Sequence, residues 1–173
     1  LSTPPPTPDI YTRWYSSAAS DVYKRQDQIG VIFQQFNLLP FGSVMDNILL
    51  PLRFAPSRRK RVDDPRGTAT QLCAALGLPA DVTSAKATAL SVGQQQRVAV
   101  VRALIGQPPL IIADEPTSAL DTNSQTAFLD LLFDQAATHG TALLMVSHDP
   151  RLADRFDRAV RIEDIARIER AAA

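Results

Sequence analysis

The feature that most constrains the fold is an apolar segment at residues 110–113 (Leu-Ile-Ile-Ala), which shows no alternation of polar and apolar side chains. A strand with one face in water alternates, so an unbroken apolar segment indicates a strand covered on both faces, as in a parallel sheet. Segments 29–33 and 141–146 are predicted strands as well, and 159–162 is predicted as a final strand. Helical patterns lie between these segments. The alternation predicts an α/β fold built on a mainly parallel sheet.

The helical patterns begin at residues that cap helices or end at glycines. The predicted helices cover residues 44–53, 68–76, 91–105, 123–138 and 150–156. Between the first two helices, the basic run Arg58-Arg59-Lys60-Arg61 lies in a polar segment, 56–65. Such a run is usually solvated, so we predict a polar connection there rather than a specific anion site.

Composition excludes several classes of protein. The chain has 173 residues with 18 basic and 18 acidic side chains, and this balance argues against a broad nucleic-acid surface. A single cysteine, Cys73, cannot form an internal disulfide and lies among apolar helix-forming residues, so we expect a buried, unreactive thiol. No apolar segment approaches the ~18–20 residues that span a bilayer.

Residues 1–26 differ in composition from the rest of the chain. Four of the 13 prolines fall within the first eight residues, and Trp14 and all three tyrosines precede residue 24. So abrupt a change indicates a boundary. We favour a non-native leader over a natural flexible arm for this segment. The predicted domain therefore covers residues 27–173.

Two adjacent acids, Asp114 and Glu115, follow the apolar segment 110–113 directly. Carboxylates at the end of a buried strand need a cation, a proton or hydrogen-bond donors to satisfy them. Ligands collect at the carboxyl edge of a parallel sheet. At that edge, Asp114 is placed to hold Mg²⁺ through water, and Glu115 to orient or deprotonate an attacking water. The structural alternative is a pair of surface acids in a turn.

Three further features have little meaning by themselves. A serine followed by glycine, in Ser91-Val92-Gly93-Gln94, leaves backbone N–H groups at a helix start that favour a phosphate, although simple capping by Ser91 explains the isolated pattern better. His148 follows segment 141–146, where a lone histidine is more often structural than functional. Gln34 ends segment 29–33, where an amide can contact both a metal's water shell and a nucleophile.

Taken in chain order, strand-Gln, Leu-Ser-x-Gly-Gln, apolar-Asp-Glu-Pro-Thr-Ser-Ala-Leu-Asp and Val-Ser-His-Asp resemble the ATP-binding cassette (ABC) ATPases of membrane transporters. The resemblance covers about residues 27–165. It implies a P-loop NTPase-like α/β fold, with a mainly parallel sheet flanked by helices and a helical signature subdomain at about 43–106, incomplete at the N-terminus. The run at 33–40 further resembles the branch of lipoprotein-release and macrolide exporters.

The resemblance assigns a role to each segment. It implies that Glu115, His148 and Gln34 are catalytic, as the catalytic carboxylate, the switch histidine and the Q-loop glutamine. It implies that Asp114 and Gln34 hold Mg²⁺. It also implies that the nucleotide is contacted by the signature loop and the D-loop, through Ser91, Gly93, Gln94 and Asp121.

The function implied is that of an ATP-binding and hydrolysing motor subunit of an ABC membrane transporter. ATP and Mg²⁺ would be its cofactors, and transmembrane permease subunits and a second ABC ATPase subunit its partners, with no nucleic acid. The resemblance places it at the cytoplasmic face of the inner or plasma membrane of a bacterium. The alternatives are a soluble ABC ATPase of the repair or translation type and a non-catalytic, degenerate cassette. The short segment between Gln34 and Ser91 and the pair Ser118-Ala119 favour transport.

The sequence departs from the family in two places. The family has a phosphate-binding loop, Gly-x-x-Gly-x-Gly-Lys-Ser/Thr, whereas none of the seven glycines here precedes a lysine. We therefore expect the chain to match the C-terminal two-thirds of a cassette and to bind MgATP weakly by itself. Val92 stands where the family usually has glycine, and its Cβ disfavours a positive φ.

Overall fold

The structure, a computed structural model, describes residues 27–118, 120–161 and 164. The leader assigned to residues 1–26 lies outside this part of the chain. Three parallel strands form a sheet in the order β1 (Ile29–Ile32), β2 (Leu110–Asp114), β3 (Ala142–Val146). The three strands predicted in these places are confirmed. The fourth prediction is wrong over its described part, because residues 159–161 are not in a strand and Val160 is half exposed, while Ile162 lies outside the described residues.

Five α-helices are described. They are α1 (Val44–Phe54), α2 (Pro56–Lys60), α3 (Pro65–Ala75), α4 (Val92–Leu104) and α5 (Thr122–Thr138). Short 3-10 helices cover Val82–Ser84, Ala87–Ala89 and Pro150–Arg155. The predicted caps Ser43 and Ser91 both form capping boxes, with Asp46 and Gln94 respectively. The fourth predicted helix starts slightly earlier than expected, because Asp121 caps α5.

Helix α4 is the centre of the core. It packs against β1 on one side and against α1 and α3 on the other, and its residues from Val98 to Leu104 are all buried. Gly30 in β1 permits this approach, because a Cβ at that position would collide with the carbonyl oxygen of Ala103. Helix α4 thus connects the sheet to the rest of the helical segment 43–106.

The predicted solvated connection at 56–65 is wrong for Arg58. Its segment forms α2, and Arg58 is only 2% exposed. The guanidinium donates to the carbonyl oxygens of Ala103 at 2.8 Å and Ile105 at 3.0 Å, at the end of α4, and to that of Ile29 in β1 at 3.3 Å. Burial lowers the pKa of Arg58 to about 10, which leaves the side chain charged at neutral pH. The carbonyls at a helix C-terminus favour such a cation, and the sequence run did not reveal this contact.

Two other expectations concern the cysteine and membrane-spanning segments. Cys73 is a buried free thiol, as predicted. In the described part of the chain, no helix combines the length and the apolar character that crossing a membrane requires.

Candidate functional site

The sheet brings four of the predicted site residues to one edge. Because β1, β2 and β3 are parallel neighbours, their carboxyl ends lie side by side. Gln34 follows β1, Asp114 ends β2 in register with Val146 of β3, and His148 follows β3. Glu115 is the first residue beyond β2. The edge therefore carries two carboxylates, an amide and an imidazole.

Glu115 and His148 are in direct contact. The His148 Nδ1 atom lies 2.7 Å from Oε1 of Glu115. The Glu115 side chain is 19% exposed and that of His148 is 78% exposed. The contact holds the carboxylate in one orientation and leaves most of the imidazole open to a ligand.

The backbone at Glu115 adopts an unusual conformation. Its φ is +44°, in the left-handed region that non-glycine residues rarely occupy. The Glu115 N–H donates to the Val146 carbonyl oxygen at 2.9 Å, which fastens the residue to the end of β3. The Ser118 hydroxyl donates to the Glu115 carbonyl oxygen at 3.1 Å. Strained backbone of this kind persists where surrounding contacts enforce it, often at functional sites.

Gln34 reaches this turn only weakly. Its Nε2 atom lies 3.5 Å from the Ser118 Oγ atom, and the side chain is otherwise exposed. The turn that follows Gln34 is unusual too, since Phe36 and Asn37 both have positive φ. Buried Arg102 of α4 donates to the carbonyl oxygens of both residues, at 2.5 Å and 2.7 Å. The predicted Q-loop is thus held from the core helix.

A cavity of about 150 Å³ opens beside Glu115 and His148. Gln125 lines it and donates to the Thr117 hydroxyl at 3.0 Å. Asp149 lies at its rim in a 2.7 Å ion pair with Arg151. Hydrogen bonds from the side chain and backbone of Arg151 hold the pKa of Asp149 well below its usual range. The Asp149 carboxylate is therefore ionised at neutral pH.

Asp114 differs from Glu115 in having an open carboxylate. It is exposed, and it forms no side-chain hydrogen bond or ion pair with the described residues. No group of three or more metal-binding side chains occurs in the described part of the chain. A cation at Asp114 would therefore take most of its ligands from water or from a bound anion, as Mg²⁺ commonly does.

The predicted signature residues lie at the start of α4. The Ser91 Oγ atom accepts from the Gln94 N–H at 3.3 Å, and the Gln94 Oε1 atom accepts from the Ser91 N–H at 3.0 Å. A Cβ at Gly93 would meet nothing within 4 Å, and Val92 is 51% exposed. No hydrogen bond joins this helix start to Gln34, Asp114, Glu115 or His148 within the described residues. The signature residues thus bond within their own helix start rather than to the carboxylate edge.

Asp121 bonds to the start of its own helix, α5. Its carboxylate accepts from the backbone N–H groups of Asn123 at 3.1 Å and Ser124 at 3.0 Å, and from the Ser124 hydroxyl at 2.7 Å. Hydrogen bonding to Ser124 is the main cause of a lowered pKa at Asp121. Ala119, which also belongs to the predicted D-loop, lies outside the described residues. The nucleotide-binding role of Asp121 stays a prediction.

Sequence reasoning missed Gln96, a buried polar residue next to the site. Gln96 of α4 is 1% exposed, and its Nε2 atom donates to the Pro116 carbonyl oxygen at 2.5 Å. A signal was present in the sequence, because Gln96 lies four and eight residues before Val100 and Leu104, on the buried face of the helix. For Gln125 and Asp149, nothing in the local sequence indicated that they line the cavity.

A parallel sheet with an Asp-Glu pair, a glutamine and a histidine along one carboxyl edge is typical of nucleotide-binding α/β domains. The chain belongs to the ABC transporter family, since the family model described as "ABC transporter" matches residues 10–118. The match begins within the segment that was assigned to a leader, and the division at residue 26 stays a prediction.

Curated relatives agree with this assignment. The chain is 40% identical over 143 residues to the macrolide export ATP-binding/permease protein MacB of Rhodopirellula baltica, covering 81% of this chain and 20% of the relative. It is 43% identical over 136 residues to the lipoprotein-releasing system ATP-binding protein LolD of Anaeromyxobacter dehalogenans, covering 79% of this chain and 56% of the relative. The chain thus spans less than two thirds of the length of these relatives.

A solved structure supports the fold. The dimeric ATP-binding cassette MJ0796, in a post-hydrolysis state bound to ADP and Pi, superimposes with a TM-score of 0.64 at 35% identity. The superposition covers 78% of this chain and 58% of the other. MJ0796 is a protein of Methanocaldococcus jannaschii. The predicted α/β cassette fold and the predicted resemblance to the exporter branch are both confirmed.

Proposed function

We propose that this chain supplies the catalytic edge of an ATP-hydrolysing motor subunit in an ABC membrane transporter. The observation that carries the proposal is the 2.7 Å contact between Glu115 and His148 on the edge that also presents Gln34 and Asp114. ABC ATPase domains bind ATP, and the superimposed cassette contains ADP and Pi. The contact supplies a base and an imidazole at the place where such a nucleotide would react.

Glu115 is suited to orient the attacking water. Its carboxylate is mostly shielded and fixed by His148 on one oxygen, which leaves the second oxygen to accept a hydrogen bond from water. Phosphoryl transfer to water depends on in-line placement and on neutralising charge more than on covalent chemistry. The exposed His148 ring is placed to contact the transferred phosphoryl group. Gln34 would contact the same water through its amide.

Asp114 and Gln34 are the residues that would hold Mg²⁺. The open carboxylate of Asp114 and the exposed amide of Gln34 are oxygen donors of the kind that this hard cation prefers. When bound, Mg²⁺ would neutralise charge on the triphosphate.

The place of the signature residues favours a second ATPase subunit as a partner. Ser91, Gly93 and Gln94 lie at an open helix start, and no hydrogen bond joins them to the carboxylate edge of their own chain. The capping box occupies the Ser91 and Gln94 N–H groups, and the helix dipole still favours a phosphate at this end. We infer that they act on a nucleotide held by a second ATPase subunit, with Asp121 at the same junction. The superimposed cassettes are dimeric structures.

Transmembrane permease subunits are the proposed partners of the helical segment. We place the contact in segment 36–47, where Phe41 is 81% exposed, whereas Phe36 is 6% exposed and belongs to the core. An exposed phenylalanine beside the Q-loop suits a docking contact. The proposed place of action is therefore the cytoplasmic face of a bacterial membrane, with the chain attached peripherally.

The test joins residues 27–173 to the N-terminal part of a relative that carries the Gly-x-x-Gly-x-Gly-Lys-Ser/Thr loop, and measures ATP hydrolysis. We expect Glu115→Gln to lower turnover by about 10²–10⁴-fold, the usual contribution of a positioned base, and to leave ATP binding intact. The control is Asp81→Asn, an exposed carboxyl-to-amide change far from β2 in sequence.

Two results would contradict the proposal. The first is a Glu115→Gln variant with undiminished turnover. The second is a folded hybrid that binds no ATP, which favours the alternative of a non-catalytic cassette. Calorimetry on the chain itself provides a further check, because the absence of the phosphate loop from its sequence predicts weak MgATP binding, and a micromolar Kd would contradict that expectation.

A further inference from the structure

We propose that Gln96 is a positioning residue for Glu115, and that its side-chain amide fixes the turn that aims the carboxylate. The catalytic meaning of this assignment rests on the proposed function. The geometric part concerns the chain alone and is tested without nucleotide.

The contact is short and buried. Gln96 is 1% exposed, and its Nε2 atom donates to the Pro116 carbonyl oxygen at 2.5 Å. Pro116 follows Glu115 directly and is itself buried. A buried carbonyl without a donor is costly, so the Gln96 amide and the Pro116 peptide hold each other in place.

Glu115 needs such support because of its backbone conformation. With φ at +44°, it occupies a region that a glutamate does not adopt without enforcement. On its N-terminal side, the hydrogen bond to Val146 anchors it to the sheet. On its C-terminal side, the contacts come from Ser118, within the turn, and from Gln96. Among the hydrogen bonds of the described residues, Gln96 provides the contact from a helix side chain to the turn at residues 115–116.

The buried surroundings of Gln96 suit an apolar side chain better than an amide. It lies on the buried face of α4, among the largest fully buried side chains of the core. A leucine would fill a similar volume without a polar atom to satisfy, and buried amides cost free energy unless they are hydrogen-bonded. The amide at this position therefore has a specific partner, and that partner is the peptide next to Glu115.

Gln95 provides a matched comparison. It has the same chemistry and the same helix, but its Nε2 atom donates to the Leu90 carbonyl oxygen at 3.0 Å, near the start of α4. Its replacement removes an amide hydrogen bond without touching the Glu115 turn.

The test uses histidine ring resonances in the full chain. The sequence has two histidines. His148 contacts Glu115 and reports on the orientation of the carboxylate, whereas the Nδ1 atom of His139 contacts the Gln135 carbonyl oxygen at the end of α5 and serves as an internal control. A chain labelled at histidine therefore gives one reporter signal and one reference signal.

We expect Gln96→Leu to move the His148 ring signals most of the way to their positions in a Glu115→Gln variant, in which the carboxylate is removed. The His139 signals and the Gln95→Leu control should stay at their wild-type positions. Gln96→Asn keeps an amide but is one methylene too short to reach Pro116, so it should move the His148 signals in the same direction. Because it retains a polar side chain, it also serves as the test variant if Gln96→Leu does not fold.

Three outcomes would overturn the assignment. They are unmoved His148 signals in a folded Gln96→Leu or Gln96→Asn variant, an equal shift in Gln95→Leu, and loss of the folded state in both Gln96 variants, which would make Gln96 a general structural residue. None of these outcomes affects the proposed function, which is tested by ATP hydrolysis. Equally, a hybrid without ATPase activity leaves the His148 result unchanged.

Discussion

Replacing Arg58 by methionine should destabilise the chain strongly, although the sequence places Arg58 in a run that looks solvated. Methionine retains the length and apolar stem of arginine but donates no hydrogen bond. The change therefore removes the guanidinium contacts to the end of α4 and to β1, and it leaves the volume of the side chain nearly filled.

The magnitude follows from the two best-formed contacts, to Ala103 at 2.8 Å and Ile105 at 3.0 Å. A hydrogen bond from a charged group contributes about 1.5–3 kcal/mol net, so two contribute about 3–6 kcal/mol. Because the buried charge is desolvated, as the pKa of about 10 for Arg58 indicates, we take the lower end, about 3 kcal/mol. That is a large share of the roughly 5–15 kcal/mol by which domains are stable.

The assay is urea unfolding of the full chain at neutral pH. With a slope of about 1–3 kcal/mol per molar urea, the midpoint should fall by about 1–3 M in Arg58→Met. Arg59→Met is the matched control, because Arg59 is exposed and its guanidinium has a single described contact, to Val62 at 2.6 Å. The control should stay within about 0.5–1 kcal/mol of wild type. Equal midpoints for the two variants would refute the reasoning.

The remaining predictions concern two ionisable groups. Cys73 is 2% exposed, and burial raises the pKa of its thiol to about 11, so an aromatic disulfide reagent should label it slowly at pH 7 and quickly only in urea; rapid stoichiometric labelling of the native chain would contradict this. Hydrogen bonds from Arg151 lower the pKa of Asp149 below its unfolded value near 4, so this carboxylate stabilises the fold above about pH 4 and loses that effect as pH falls through its folded pKa. In Asp149→Asn, the urea unfolding midpoint should accordingly change less with pH below about pH 4 than in the wild type. An equal change in both proteins would show that Asp149 does not contribute to the pH dependence of stability.

The secondary structure was predictable wherever a local signal was strong. Ser43 and Ser91 cap helices in the predicted places, and the three apolar segments form β1, β2 and β3. The failures occurred where tertiary contacts decide. Residues 159–161 have strand-like composition but are not in a strand. The segment that resembled a solvated loop forms α2 instead, with Arg58 buried.

The site was predictable as a set of positions and not as a set of contacts. Motif order indicated Gln34, Asp114, Glu115 and His148, and the parallel sheet brings them to one edge. No local pattern indicates the place of Gln125 in the cavity or the bond from Gln96 to Pro116. Each depends on pairs of residues far apart in the chain.

By itself, the sequence indicated most of the strands and helices and the positions of the candidate site residues, because caps, periodicity and motifs act over a few residues. Only the tertiary structure decided how those side chains are held. The contact of Glu115 with His148 depends on the pairing of β2 with β3, and the burial of Arg58, Gln96 and Arg102 depends on the packing around α4. A buried polar group is stable only where a partner meets it, and the partners here come from distant segments that the fold alone brings within hydrogen-bond distance.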